Sequence, residues 1–195
     1  MNYKKPETLE ELEANRDSHP NRGKIKGKSV VRSGSVELRG TIPKPLYEQM
    51  LCVTSAFSIG KAEAAQFGAW EAISQITNHE RAQDFIKLST VKYDGSYTLF
   101  RGYVPAGLYE SLTAILCEKG YYPEDTATIV ISCFVSKSER AYRKRLEQLK
   151  AEFNVEESII VEAFKGESKK VAIDKKINKL KSGEELTELD KIKII

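Results

Sequence analysis

Apolar residues along this chain follow two different periods, and the change from one to the other happens twice. In VELRGTI, residues 36–42, Leu38 and Ile42 fall on one side of an extended segment and Glu37, Arg39 and Thr41 on the other, the alternation of a half-buried strand. Pro43 ends this segment. Beyond it Leu46, Met50, Val53 and Phe57 recur at spacings of three and four, which predicts a helix with one buried face. After Ser58-Ile59-Gly60, the stretch KAEAAQFGAWEAISQI predicts a second helix that buries Ala65, Phe67 or Gly68, Ala69 and Ile73. The same order then returns. Phe100 and Val104 alternate with outward Leu99, Arg101 and Tyr103, Pro105 closes the strand, and Leu108, Leu112, Ile115 and Leu116 mark one face of a helix. Gly120 is placed to cap that helix, and Pro123-Glu124-Asp125 sets a proline and two acids at the positive end of the next one. For TATIVISCFV, residues 126–135, the β-branched content favours a buried strand, and only the correspondence with the earlier segment favours a helix. The expectation adopted is a helix.

That correspondence is a duplication. VELRGTIPKPLYEQM and TLFRGYVPAGLYESL align without gaps at a spacing of 62, and Arg39, Gly40, Pro43, Leu46, Tyr47 and Glu48 recur as Arg101, Gly102, Pro105, Leu108, Tyr109 and Glu110. Leu38 matches Phe100, Ile42 matches Val104 and Met50 matches Leu112. With one residue of slippage, Ser33-Gly34-Ser35 corresponds to Asp94-Gly95-Ser96. The second of these turns lies between two strand-like runs and predicts a hairpin; the first is a weaker version of it. Neither copy has enough residues for a core of its own, so the two are expected to pack on each other around an internal pseudo-twofold axis.

A strand, a proline, a helix with Leu-Tyr-Glu near its start, a turn and a second helix resembles the ribbon-helix-helix family of DNA-binding repressors, exemplified by the Arc and methionine repressors, over residues 36–76 and 98–138. The resemblance implies an α+β fold, mainly helical with short β-ribbons, in which two strands pair antiparallel and enter the major groove. Here one chain would supply both strands. It also implies a non-enzymatic DNA-binding protein, a transcriptional repressor or a regulator of a plasmid or mobile element. Arg39 and Arg101 would be the base readers, because a guanidinium pairs bidentately with guanine O6 and N7, and Thr41 and Tyr103 would be secondary readers. The chain departs from the family at Gly40 and Gly102, which stand at inward strand positions usually filled by large apolar residues, and at Leu99, which faces outward where a polar reader is expected. A glycine inside a strand marks a bulge or a close approach.

Composition adds little to this, but the distribution of charge adds more. The net charge is only +3 and the isoelectric point about 8.6, so overall charge does not single out nucleic acid. Glu7, Glu10, Glu11 and Glu13 make an acidic start, whereas Arg22, Lys24, Lys26, Lys28 and Arg32 form a basic arm suited to phosphate contact beside the first strand. The five charges equally fit a solvated leader. Tyr47, Tyr109, Phe57 and Trp70 lie at core spacing and are expected to pack. Cys52, Cys117 and Cys133 form no metal or redox pair and read as small core residues, with no cofactor implied. His19 and His79 stand near no motif of known chemistry, and no phosphate loop or dinucleotide fingerprint is present; only an enzyme built on scattered carboxylates would escape such a search. No secretory leader or membrane-length apolar run is found, which places the expected site of action in the cytoplasm.

The chain is therefore divided into an acidic, flexible leader (1–21), a first copy (22–76), a second copy (84–138) and a charged helical tail (139–195). In the tail, Leu146, Leu149 and Phe153 line a helix with i,i+4 pairs of Arg143 to Glu139 and Glu147. Ile159, Ile160, Phe164, Ile177, Leu180, Leu186, Leu189 and Ile192 follow among alternating charges, as marginal helices ordered on assembly or a partly disordered end. So many apolar side chains predict a homodimer joined through this region. Two other functions stay open: a protein-interaction adaptor of phage or plasmid origin, and a single-stranded nucleic-acid or RNA binder using an aromatic sheet around Tyr93, Tyr97 and Tyr103.

Overall fold

A computed structural model of the chain describes residues 8–10, 13, 34–78, 95–165, 169–187, 190 and 192. The basic arm, most of the acidic leader and the upstream halves of both expected hairpins, including Asp94 and Tyr93, lie outside the described residues. Strand β1 (Ser35–Pro43) leads into α1 (Lys44–Ala56) and α2 (Lys61–Asn78); strand β2 (Tyr97–Pro105) leads into α3 (Ala106–Glu118), a short 3₁₀ turn (Pro123–Asp125) and α4 (Thr126–Phe153). Helices α5 (Glu157–Lys165) and α6 (Lys169–Lys181) follow. The fold is thus α+β, mainly helical, with one two-stranded antiparallel sheet among the described residues. Residues 126–135 are helical: burial of Ala127, Ile129, Val130, Ile131, Cys133 and Phe134 outweighs their β propensity.

The chain divides into two compact units, Val30–Arg143 and Lys144–Ile195 with Met1–Ser29. In the first, β1 and β2 pair in an unbroken register centred on Arg39 opposite Arg101, with Leu38 opposite Gly102 and Gly40 opposite Phe100. Positions 62 apart therefore mirror each other across the central rung. The mirroring continues beyond the sheet, since Lys44 N–H donates to Ser96 O and Ala106 N–H to Gly34 O. Each helix hairpin turns on a left-handed residue, Ser58 in one case and Gly120 in the other, as Gly120 was expected to do.

No bulge explains the strand glycines; close approach does. A Cβ on Gly40 would lie 2.7 Å from Ala127 Cβ, and one on Gly102 would lie 2.8 Å from the Phe100 ring and 2.9 Å from Ala65 Cβ. Ala65 and Ala127 are themselves 62 apart, on α2 and α4. Those two helices meet at Gly68, where a Cβ would come within 2.2 Å of the Val130 carbonyl oxygen. Gly68, not Phe67, is therefore the buried member of that pair, together with Ala64, Ala65, Ala69, Ala72 and Ile76. Ile73 is only half-buried.

Other packing expectations change as well. Tyr47 and Tyr109 pack half-buried against the core, but Phe57 is 39% exposed and Trp70 64% exposed. Phe57 lies just past the end of α1, as its C-cap residue, and Trp70 lies on an exposed side of α2. Cys52 and Cys133 are buried, but Cys117 is exposed on α3 and is no core residue. Burial, and secondarily the charge of Glu71, pushes the Cys133 thiol up to about 12, so it stays protonated and inert at neutral pH.

The second unit buries part of the tail's apolar set within one chain, with Phe153, Ile159, Leu180 and Leu186 half-buried. Leu146, Leu149, Ile160, Phe164, Ile177 and Ile192 are buried, so these side chains need no partner chain to leave water. Leu9 and Leu180 pack against Ile177, and Glu13 pairs with Lys181 at 2.8 Å, so these leader residues are docked rather than free. Arg143 pairs with Glu139 at 2.7 Å, whereas Glu147 pairs with Lys150. Thr187 N–H and Oγ1 donate to the Asp190 carboxylate at 3.0 and 2.7 Å, and Lys179 Nζ donates at 2.8 Å. Burial acts to raise the Asp190 pKa, but these hydrogen bonds and the Lys179 charge outweigh it and hold the carboxyl at about 2.

Two predictions follow from this packing. Gly68→Ala drives a methyl into backbone and is expected to cost roughly 1–3 kcal/mol or more, whereas Gly107→Ala, with nothing within 4 Å of its Cβ, is expected to be neutral or slightly stabilising in thermal or urea unfolding. The depressed Asp190 carboxyl stabilises the fold fully above its usual pKa of 3.8, and this contribution is lost as pH falls toward about 2. The difference in melting temperature between wild type and Asp190→Asn is therefore expected to be large at neutral pH and to close in that window; a gap that persists at pH 2 contradicts it.

Candidate nucleic-acid interface

Because side chains alternate across the strands, burying one face of the ribbon under α2 and α4 leaves the other in water. Leu38, Ile42, Phe100 and Val104 are buried beneath it. Glu37, Arg39, Thr41, Leu99, Arg101 and Tyr103 are exposed, all on the opposite face. The structure thus brings together the four residues expected to read bases, Arg39, Thr41, Arg101 and Tyr103. The expected phosphate residues Arg22, Lys24, Lys26, Lys28 and Arg32 lie outside the described residues.

The rungs of this face are Glu37 opposite Tyr103, Arg39 opposite Arg101 and Thr41 opposite Leu99, with Tyr97 beyond them opposite Pro43. At about 3.4 Å per residue, the three central rungs span about 14 Å. Two arginines directly opposite each other repel, and such like-charge pairs weaken a sheet. One carboxylate offsets this in part: Glu37 Oε1 lies 4.0 Å from Arg101 Nε. With 55% of the Arg101 side chain exposed, that contact is solvent-screened and contributes little to stability. Tyr103 is 51% exposed and Leu99 45% exposed. The Tyr103 carbonyl accepts a long hydrogen bond from Gln66 Nε2 at 3.4 Å, a contact between β2 and α2.

The helices next to the ribbon add a second feature. Both α1 and α3 begin directly after the strand prolines, with no side-chain cap and no acid in the first turn, so their positive ends are not neutralised. Lys44 sits in the first turn of α1. Elsewhere in this unit, Lys61 stacks over the Tyr47 ring at 4.9 Å, and Phe67 meets Phe134 edge-to-face at 6.1 Å. Phe67 and Trp70 form an exposed aromatic pair on α2 that was not anticipated as surface; no periodicity signal separates it from core. Among the described residues there is no cluster of His, Cys, Asp or Glu arranged to hold a metal ion, and no helix long and apolar enough to cross a membrane.

Comparison with protein-family models, curated proteins and solved structures finds no match.

Because these outward side chains are exposed, Arg39→Ala, Thr41→Ala, Leu99→Ser and Tyr103→Ser are each expected to change unfolding free energy by no more than about 0.5 kcal/mol. Phe100→Ala, on the opposite face of the ribbon, is expected to cost about 3–5 kcal/mol. Comparable losses on both faces, measured by urea unfolding, would show that the outward face is covered.

Proposed function

We propose that the chain is a non-enzymatic protein that binds double-stranded DNA, reading the major groove with the outward face of the β1–β2 ribbon. Its architecture is read as two ribbon-helix-helix units in one chain, and its role as a transcriptional repressor or a regulator of a plasmid or mobile element. The observation that carries this is the Arg39–Arg101 rung. Two like charges held opposite each other in water destabilise a free ribbon, and an anion or an electronegative base edge between them relieves the repulsion. Guanine O6 and N7 offer such an edge, and each bidentate contact discriminates by about 1–3 kcal/mol. A ribbon with strands about 4.8 Å apart fits a groove about 12 Å wide. The starts of α1 and α3 at the ribbon's ends, with no acid in the first turn, suit flanking phosphates, and the basic arm before β1 would extend the same contact.

As a homodimer, the protein would bring two ribbons to one operator, as specific sites commonly require. Leu146, Leu149, Ile160, Phe164, Ile177 and Ile192 are buried within the chain, so these side chains do not themselves demand that dimer. A second reading is favoured by the exposed Phe67 and Trp70: a protein-binding adaptor that docks a partner on α2.

Selection from random duplex DNA at physiological salt tests the proposal. One enriched motif is expected. Arg39→Ala and Arg101→Ala should each weaken binding to it by about 1–3 kcal/mol while changing non-specific binding less. Neutralising Lys24, Lys26 and Lys28 should weaken both and flatten the salt slope. No enrichment, with duplex affinity independent of salt, would remove DNA binding and leave the adaptor.

A further inference from the structure

A ribbon with perfect twofold symmetry presents the same chemistry to both halves of its site and so reads a palindrome. The 62-residue correspondence and the observed register show how far this ribbon departs from that. Rotation about the central rung exchanges Arg39 with Arg101, which are identical; it exchanges Glu37 with Leu99 and Thr41 with Tyr103, which are not. The face is symmetric at its centre and asymmetric on both flanks.

Building on the DNA-binding function proposed above, we infer that the ribbon reads a non-palindromic duplex site in a single orientation, with Thr41 and Leu99 specifying one half and Glu37 and Tyr103 the other. The chemistry of each flank differs. Thr41 and Leu99 lie opposite each other and present a methyl group and an exposed isobutyl group, the kind of surface that packs on the thymine C5-methyl in the major groove. On the other flank, Glu37 is a pure acceptor, which pairs with the cytosine amino group and repels phosphate, and Tyr103 adds a hydroxyl.

The asymmetry also reaches the two arginines. Glu37 stands 4.0 Å from Arg101 and biases where that guanidinium points. At the twofold-related position beside Arg39 stands Leu99, which carries no charge. Glu37 is thus a positioning residue for Arg101 that Arg39 has no equivalent of. Successive outward residues along a strand are about 6.8 Å apart, so each flanking rung addresses base pairs about two steps from the centre. A second copy of the chain on the same DNA would add another subsite and leave each subsite non-palindromic.

The test is paired selection from random duplex DNA, using the full-length wild type and the full-length symmetrised variant Glu37→Leu/Tyr103→Thr, in which the two rungs flanking the arginines are chemically the same. Both substitutions lie on the exposed face, and a thermal melt checks that the variant folds. The wild type is expected to enrich a subsite with dissimilar halves, with A·T pairs on one flank, and inverting one half should lower affinity roughly tenfold or more. The variant is expected to enrich a palindrome built from that A·T-containing half, and the inversion should cost it nothing. A wild-type subsite that is palindromic about its centre overturns the inference while DNA binding stands. A variant that keeps the wild-type asymmetry also overturns it, by placing the source of asymmetry outside these residues. Failure of the wild type to enrich any duplex removes DNA binding and the inference with it. Should the variant not fold, the wild-type subsite decides alone.

Discussion

Two helices cover one face of a two-stranded ribbon only if their backbones come close, and the glycines at 40, 102 and 68 are what permit it. Gly40 admits Ala127 of α4, Gly102 admits Ala65 of α2, and Gly68 admits the backbone of Val130 where the two helices meet. Opposite each strand glycine stands a large residue, Phe100 or Leu38, which fills the space that the glycine leaves. The small positions set the distance and the large ones fill the volume. A methyl group added at any of the three collides with backbone, a ring or another Cβ, so the arrangement tolerates little change there.

Packing one face this tightly also defines the other. With Leu38, Ile42, Phe100 and Val104 locked inward, strand alternation leaves Arg39 and Arg101 no alternative to the solvent, side by side. A one-residue slip would put both arginines in the core and is excluded by the cost of burying unpaired charge. The proposed interface is thus a by-product of the core: residues that contribute almost nothing to stability are held in register by residues that contribute most of it. That separation lets the outward rungs vary without disturbing the fold, and they differ between the flanks while the inward positions stay matched.

Much of this organisation was legible in the sequence because it rests on local periodicity and on self-comparison. Alternation in VELRGTI and TLFRGYV assigned inward and outward residues, and the 62-residue correspondence made TATIVISCFV a helix against its own propensity. What could not be read depends on where helix faces meet. Trp70 has core-like spacing and yet is exposed, because α2 packs through the narrower stripe of Ala65, Gly68, Ala69 and Ala72, and small residues are weak signals in a hydrophobic pattern; Phe57 is exposed because α1 has ended at Ala56. The strand glycines signalled either a bulge or a close approach, and only the positions of Ala65 and Ala127 decide for close approach. The packing of the tail could not be read for a related reason: Ile177 packs with Leu180 and with Leu9, a pairing across most of the chain length that periodicity does not register.

The central claim is that the outward face of the β1–β2 ribbon is the surface that meets DNA, and mapping backbone amide shifts by NMR during titration with duplex DNA tests it most directly. The account predicts that the largest changes fall on residues 37–41 and 99–103, with Phe67 and Trp70 on α2 unmoved. Changes centred on Phe67 and Trp70 with the ribbon undisturbed, or no changes at saturating duplex, would contradict it.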